Sequence, residues 1–133
     1  MRIEFVDRED ESNPLNGSIF DSDVELLTAL KSLRQRAPFF CELVGEHGRN
    51  LLIGLGPELN CVQYSPSDGE PPYFVALGPN ENAGANQYLE FFMGGQLSEV
   101  PAQYGLPPHL ADAIARHFLR TGERSPLVPW ESL

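Results

Sequence analysis

Residues 87–133 read QYLEFFMGGQLSEVPAQYGLPPHLADAIARHFLRTGERSPLVPWESL, and the stretch changes period part-way along. Tyr88, Glu90 and Phe92 alternate with Leu89, Phe91 and Met93, the two-residue repeat of a strand. Gly94-Gly95 turns the chain, and Leu97 to Pro101 adds a further short strand. Leu106, Leu110, Ala113, Ile114, His117 and Phe118 then recur at helical spacing. Pro107 and Pro108 suit the first turn, where a missing N–H costs little, and Thr121-Gly122 supplies the left-handed stop. On the polar face Asp112 and Arg116 stand four apart, with Arg120 extending the row. Ser125-Pro126 and Val128-Pro129 force an extended tail, whose Trp130 needs a place to bury its ring.

Upstream, the pattern repeats in reverse. Ser22 and Glu25 form a capping-box pair, Leu26, Leu27, Leu30 and Leu33 mark one apolar face, and Lys31, Arg34 and Arg36 crowd the end before Pro38. From Phe39 the period is two: Phe39–Val44, a turn at Glu46-His47-Gly48-Arg49, Asn50–Leu55, Cys61–Tyr64 and Tyr73–Leu77. Polar loops at Ser65–Pro72 and Gly78–Asn86 separate these strands. Consecutive short strands with hairpin-length gaps predict an antiparallel meander. The expected fold is therefore α+β: a five- or six-stranded sheet with helices Ser22–Ala37 and Pro107–Thr121 packed on it, in one domain over residues 1–133. Residues 1–21, with Ile3 and Phe5 and turn signals at Asn13-Pro14 and Asn16-Gly17, read as a mobile arm or an edge strand.

The net charge of −10 is unevenly spread. Between Pro38 and Gly105 stand Glu42, Glu46, Glu58, Asp68, Glu70, Glu81, Glu90 and Glu99 against Arg49 alone, eight acids minus one base. That balance argues against nucleic acid as a direct partner and for a basic one, or simply for solubility. No apolar run has the length of a membrane span. The acidic start, MRIEFVDREDES, is unlike a signal peptide, so the expected location is the cytoplasm. Cys41 and Cys61 sit in apolar strands with neither metal nor disulfide spacing, as reduced core residues do.

Catalytic patterns are missing from the sequence. Leu52-Ile53-Gly54-Leu55-Gly56 is followed by Pro57, without the helix a phosphate-binding loop requires. There is no Gly-x-Ser-x-Gly elbow. His47, His109 and His117 lack partners at metal or triad spacing. Glu42 and Glu90 are the one carboxylate pair that strands bring within consideration, and surface acids on strands are ordinarily solvated. The expectation is a binding protein with no catalytic residues, no metal and no cofactor.

Several pieces in order resemble immunity protein family 1 of bacterial polymorphic toxin systems. They are Leu51-Leu52-Ile53-Gly54-Leu55-Gly56, Val62-Gln63-Tyr64, Tyr88-Leu89-Glu90-Phe91, Gly94-Gly95, Glu99-Val100-Pro101, the helix end His117-Phe118-Leu119-Arg120-Thr121-Gly122-Glu123-Arg124, and Trp130. The resemblance implies a cytoplasmic antitoxin that binds a cognate secreted toxin and blocks its active site. It is close to the antitoxin of a double-stranded-DNA cytidine deaminase toxin. The chain lacks the zinc deaminase signature, so it is not the toxin. A deaminase holds a nucleic acid backbone with basic residues, and an acidic inhibitor is steered to them. The alternative is a same-fold immunity protein or acidic adaptor that binds a nuclease or other basic protein away from its active site. The expected toxin-facing patch is Asp68, Glu70, Tyr73, Glu81, Asn82, Tyr88 and Glu90, drawn from the two polar loops and the strands they feed.

Overall fold

The computed structural model describes residues 2–79 and 87–133. Strands β1 (Ile3–Asp7) and β2 (Ile19–Phe20) precede helix α1 (Asp23–Leu33), which runs on into a 3-10 turn at Arg34–Arg36. The predicted run of strands follows as β3 (Phe39–Gly45), β4 (Arg49–Leu55), β5 (Cys61–Pro66) and β6 (Phe74–Ala76). A hairpin of β7 (Tyr88–Met93) and β8 (Gln96–Pro101) leads through a 3-10 turn at Ala102–Tyr104 to α2 (Pro108–Thr121) and β9 (Trp130–Ser132). The class is α+β with two helices on an open antiparallel sheet, as the periodicity predicts. The strand count is larger than five or six: β2 and β9, of two and three residues, are too short to show in the sequence, and β1 reads there as an arm or an edge strand. The path is β2-β1-β3-β4-β5-β6-β9, with β7 branching from β3 and carrying β8.

Residues expected as an arm or edge strand are built into the sheet. Strand β1 pairs with β3 over its whole length, Ile3 opposite Gly45 and Asp7 opposite Cys41, and β2 takes the edge. The loop between β1 and β2 is organised by Asp7, whose carboxylate is buried. It accepts from the Glu9 and Asp10 N–H groups at 2.8 and 2.9 Å, from Asn13 Nδ2 at 2.9 Å and from the Arg36 guanidinium. Burial pushes its acidity down, but the Arg36 and Asn13 bonds outweigh that, and its pKa lies below the ordinary Asp value.

One sheet face is formed by Phe5, Phe39, Cys41, Leu43, Leu51, Ile53, Leu55, Val62 and Tyr64, alternate positions on successive strands. Both helices cover it. Leu26, Leu30 and Leu33 face it from α1, and Ala111, Ile114, Ala115, Phe118 and Leu119 from α2. The buried stripe of α2 is thus displaced from the expected one: Leu110, Ala113 and His117 are half-buried at its border, and the small Ala111 and Ala115 make the close contact. The helix begins after Pro107, with Pro108 at its first position, and ends at left-handed Gly122, φ 74°.

The polar ties of α2 also differ. Asp112 reaches Arg34 at 2.7 Å rather than Arg116, and Arg120 pairs with Asp23. These pairs join the start of each helix to the end of the other, so α1 and α2 run antiparallel. Arg34 also donates to Asn60 Oδ1 at 3.0 and 2.9 Å. Asn60 is fully buried and exchanges two backbone bonds of 2.7 Å with Leu106. Trp130 is half-buried rather than largely buried, because β9 is an edge strand with one open side. Its Nε1 donates to the Ser125 carbonyl at 2.9 Å, and its ring meets Tyr64 edge-on.

The opposite sheet face carries Phe40, Leu52, Gly54, Cys61, Gln63 and Val75, and the β7–β8 hairpin lies across part of it. Leu89, Phe91 and Met93 turn inward; Phe91 is buried beside Phe40, ring centroids 5.1 Å apart. Gly54 makes this possible: a Cβ there would stand 2.7 Å from Cys61 Sγ and 3.0 Å from the Phe91 ring. The hairpin does not continue the meander beside β6. It meets β3 through one parallel pairing, Phe39 with Phe92, and through the Phe92 N–H to the Pro38 carbonyl.

Candidate docking surface

The alternation that buries Leu89, Phe91 and Met93 presents Tyr88, Glu90 and Phe92 to solvent. The two-residue turn fixes the register: Tyr88 faces Pro101, Glu90 faces Glu99, and Phe92 faces Leu97. The outward face of the hairpin is therefore three cross-strand pairs, apolar at either end and doubly acidic in the middle. Tyr88 is 52% exposed, Phe92 39% and Leu97 49%, among the few large apolar side chains left open to solvent. Beside them a groove of about 320 Å³ runs between the β4–β5 turn and β7, with Glu58 and Glu90 on its walls and Leu59, Leu89 and Phe91 beneath.

Among the described residues no Lys or Arg forms an ion pair with these acids. The sequence has no Lys or Arg from Asn50 to Ala115. The four ion pairs among the described residues commit Arg8, Arg34, Arg36 and Arg120 to Glu42, Asp112, Asp7 and Asp23. Arg124 lies over the Phe74 ring at 3.8 Å. Glu58, Glu90 and Glu99 take part in none of these, so the hairpin face keeps its negative potential.

The five described residues of the sequence-derived patch, Asp68, Glu70, Tyr73, Tyr88 and Glu90, do not lie together. Asp68, Glu70 and Tyr73 occupy the β5–β6 loop at the end of the sheet next to the β3–β4 turn, where the Ser67 N–H reaches the Gly48 carbonyl at 2.9 Å. There Asp68 accepts from the Glu70 N–H at 2.9 Å, and the Tyr73 hydroxyl donates to the Gly69 carbonyl. Both side chains shape their own loop. Tyr88 and Glu90 stand at the other end, beside the β4–β5 turn. Six residues of β5 separate the ends, about 20 Å at strand rise. Glu81 and Asn82 lie outside the described residues. Glu42 does not approach Glu90: it pairs with Arg8, and the β3–β7 register sets the two acids about 15 Å apart. Phe92, Leu97, Glu99 and Glu58 were not anticipated; counting outward from Gly94-Gly95 would have placed Glu99 opposite Glu90.

Elsewhere the chemistry is structural. His47 and His109 are exposed and His117 half-buried. Among the described residues no group of His, Cys, Asp and Glu is placed to hold a metal ion. Burial raises the Cys41 thiol far above its ordinary value and the Cys61 thiol to about 12, so both stay protonated. Tyr104 is also shifted upward, by burial and by its bond to Glu131. No helix among the described residues is long and apolar enough to cross a membrane.

The comparison with known families decides the assignment. The profile for Immunity protein Imm1 matches residues 7–132, from the last residue of β1 to the last of β9. The chain belongs to the Imm1 immunity protein family. No curated protein matches it significantly. Membership implies a cognate toxin as partner.

Proposed function

We propose that this immunity protein neutralises a secreted toxin by stoichiometric binding, without catalysis of its own. The toxin class that fits best is a nucleic-acid cytidine deaminase, whose substrate surface must be basic to hold phosphates. The complex is a heterodimer formed in the cytoplasm, in which the hairpin face covers that basic surface and competes with nucleic acid. The observation that carries this reading is the Glu90–Glu99 pair, framed by exposed Tyr88, Phe92 and Leu97 and left without a base. Carboxylates steer the encounter and aromatic side chains supply the slow dissociation. Glu81 and Asn82 precede β7 in the sequence, and we include them with Tyr88 and Glu90. Asp68 and Glu70 contribute long-range field from the far end of the sheet, where Tyr73 holds their loop through the Gly69 carbonyl.

The test is a titration of the toxin domain encoded beside this chain, assayed by deamination of an oligonucleotide. Activity should fall linearly to zero at one equivalent, and the complex should fail to bind the oligonucleotide in fluorescence anisotropy. A complex that is inactive yet still binds the oligonucleotide would place the contact away from the active site. Residual activity beyond several equivalents would refute inhibition by binding.

A further inference from the structure

The layer that covers the second sheet face is only two strands wide. Strand β8 pairs with β7 on one side and with nothing on the other among the described residues. The hairpin geometry says which of its backbone groups are open. Gly94 and Gly95 have φ of 59° and 80°, the left-handed values of a tight two-residue turn, so Met93 and Gln96 close it as a hydrogen-bonded pair. Hydrogen-bonded and non-bonded pairs then alternate, and the Ala102 N–H donating to the Gln87 carbonyl at 2.9 Å confirms the phase. Leu97 and Glu99 fall at non-bonded positions. Their N–H and C=O groups point away from β7, toward the free edge. Pro101, the next outward position, has no N–H and ends the template.

That edge borders an apolar cleft of about 200 Å³. Its floor is Phe40, Leu52, Cys61 and Val75 of the second sheet face, Glu99, Val100 and Pro101 of β8 form one wall, and Tyr104 and Leu133 also line it. Beyond it the same sheet face remains open at half-buried Val6, Val44 and Gln63. An edge strand beside an apolar trough is a template for another chain unless something blunts it. Here Pro101 blunts one end, and the acids of the pair repel one kind of strand and attract another. Glu90 and Glu99 sit in a non-bonded pair, the closest cross-strand spacing, where like charges destabilise each other. A cation brought alongside relieves that repulsion, whereas a second copy of this acidic hairpin increases it.

Resting on the toxin-binding reading above, the geometry points to β-augmentation: the toxin supplies an extended segment that pairs with the β8 edge as a third strand of the hairpin layer. Side chains on its inward face are apolar and fill the cleft over Leu52 and Val75. On its outward face a Lys or Arg stands opposite Glu99, next to Glu90. Main-chain bonds to Leu97 and Glu99 give affinity, and the alternating pattern gives selectivity.

Amide exchange followed by NMR tests this, on the free chain and on its complex with a catalytically inactive toxin domain encoded beside it. The Leu97 and Glu99 amides should be slowed at least about a hundredfold in the complex, as ladder amides are relative to open ones. Leu97→Pro removes the edge N–H without touching a β7–β8 bond, and should weaken the complex at least about tenfold more than Leu97→Ala. A tight complex in which both amides exchange as in the free chain overturns the augmentation and leaves toxin binding intact. Failure to form any complex overturns the reading beneath it as well. Protection that appears without toxin, together with a dimer in light scattering, assigns the edge to a second copy and overturns the proposal.

Discussion

Replacing Asp112 by Ala tests whether the two helices are held by ties across the structure. On the sequence alone Asp112 belongs to an exposed i,i+4 pair, worth about 0.3–0.5 kcal/mol. In the structure it accepts from Arg34 at 2.7 Å, and the Arg34 side chain is only 13% exposed against 28% for Asp112. Removing the carboxylate leaves a largely enclosed guanidinium with two bonds to one oxygen of Asn60 as its remaining side-chain contacts. A charge-assisted hydrogen bond is worth about 1.5–3 kcal/mol, and breaking a fully buried pair about 3–5 kcal/mol. Partial exposure of both groups places Asp112→Ala at the lower end, about 2 kcal/mol. For a chain of this length that is a fall in Tm of about 6–10 °C. Urea unfolding monitored by circular dichroism measures it, and the cycle with Arg34→Met and the double variant isolates the pair, with an expected coupling of about 1–2 kcal/mol. A destabilisation below about 0.5 kcal/mol, with no coupling, would refute the tie.

Four further outcomes follow from the packing. Phe118→Ala should cost about 3–5 kcal/mol by urea melt, because its fully buried ring sits between Tyr64 and Gly45. Gly54→Ala should cost about 1–3 kcal/mol, since its Cβ meets Cys61 and the Phe91 ring, and Phe91→Leu should recover part of that loss. Asp7→Asn should destabilise the chain at neutral pH. The folded Asp7 pKa is depressed, so its contribution is present above the unfolded value of about 3.9 and is lost as pH falls through the folded one; the two melting curves should converge at acid pH. Acrylamide should quench Trp130 fluorescence partially, between the limits for a free and an enclosed indole, because the ring is half-buried.

The alternation from Phe39 to Leu55 and the leucine stripe of α1 were legible because each side chain's face follows from period alone. The placement of the hairpin was not. Leu89, Phe91 and Met93 announce an inward face but not what they cover, and the enabling cue is a missing side chain, Gly54, thirty-seven positions before Phe91. The stripe of α2 was misread by one position because Ala111 and Ala115 carry little hydrophobic weight, although their size lets the helix approach. Sequence spacing pairs Asp112 with Arg116 because only local partners are visible in a sequence, and Arg34 lies seventy-eight residues away. Tyr88 and Glu90 are outward on a strand, as alternation requires, whereas Asp68 and Tyr73 were grouped with them by loop order, which says nothing about the end of the sheet to which a loop returns.

The proposed docking face is tested most directly by association kinetics of two charge variants with a cognate toxin domain, across a range of salt. Glu58→Gln/Glu90→Gln/Glu99→Gln removes charge at the hairpin; Asp68→Asn/Glu70→Gln removes it from the β5–β6 loop about 20 Å away. Stopped-flow mixing should show the hairpin variant associating about tenfold more slowly, with a flattened salt dependence, while the loop variant stays within about twofold of the parent chain. The opposite ranking, or equal rates for all three proteins, would contradict the hairpin as the surface that meets the toxin.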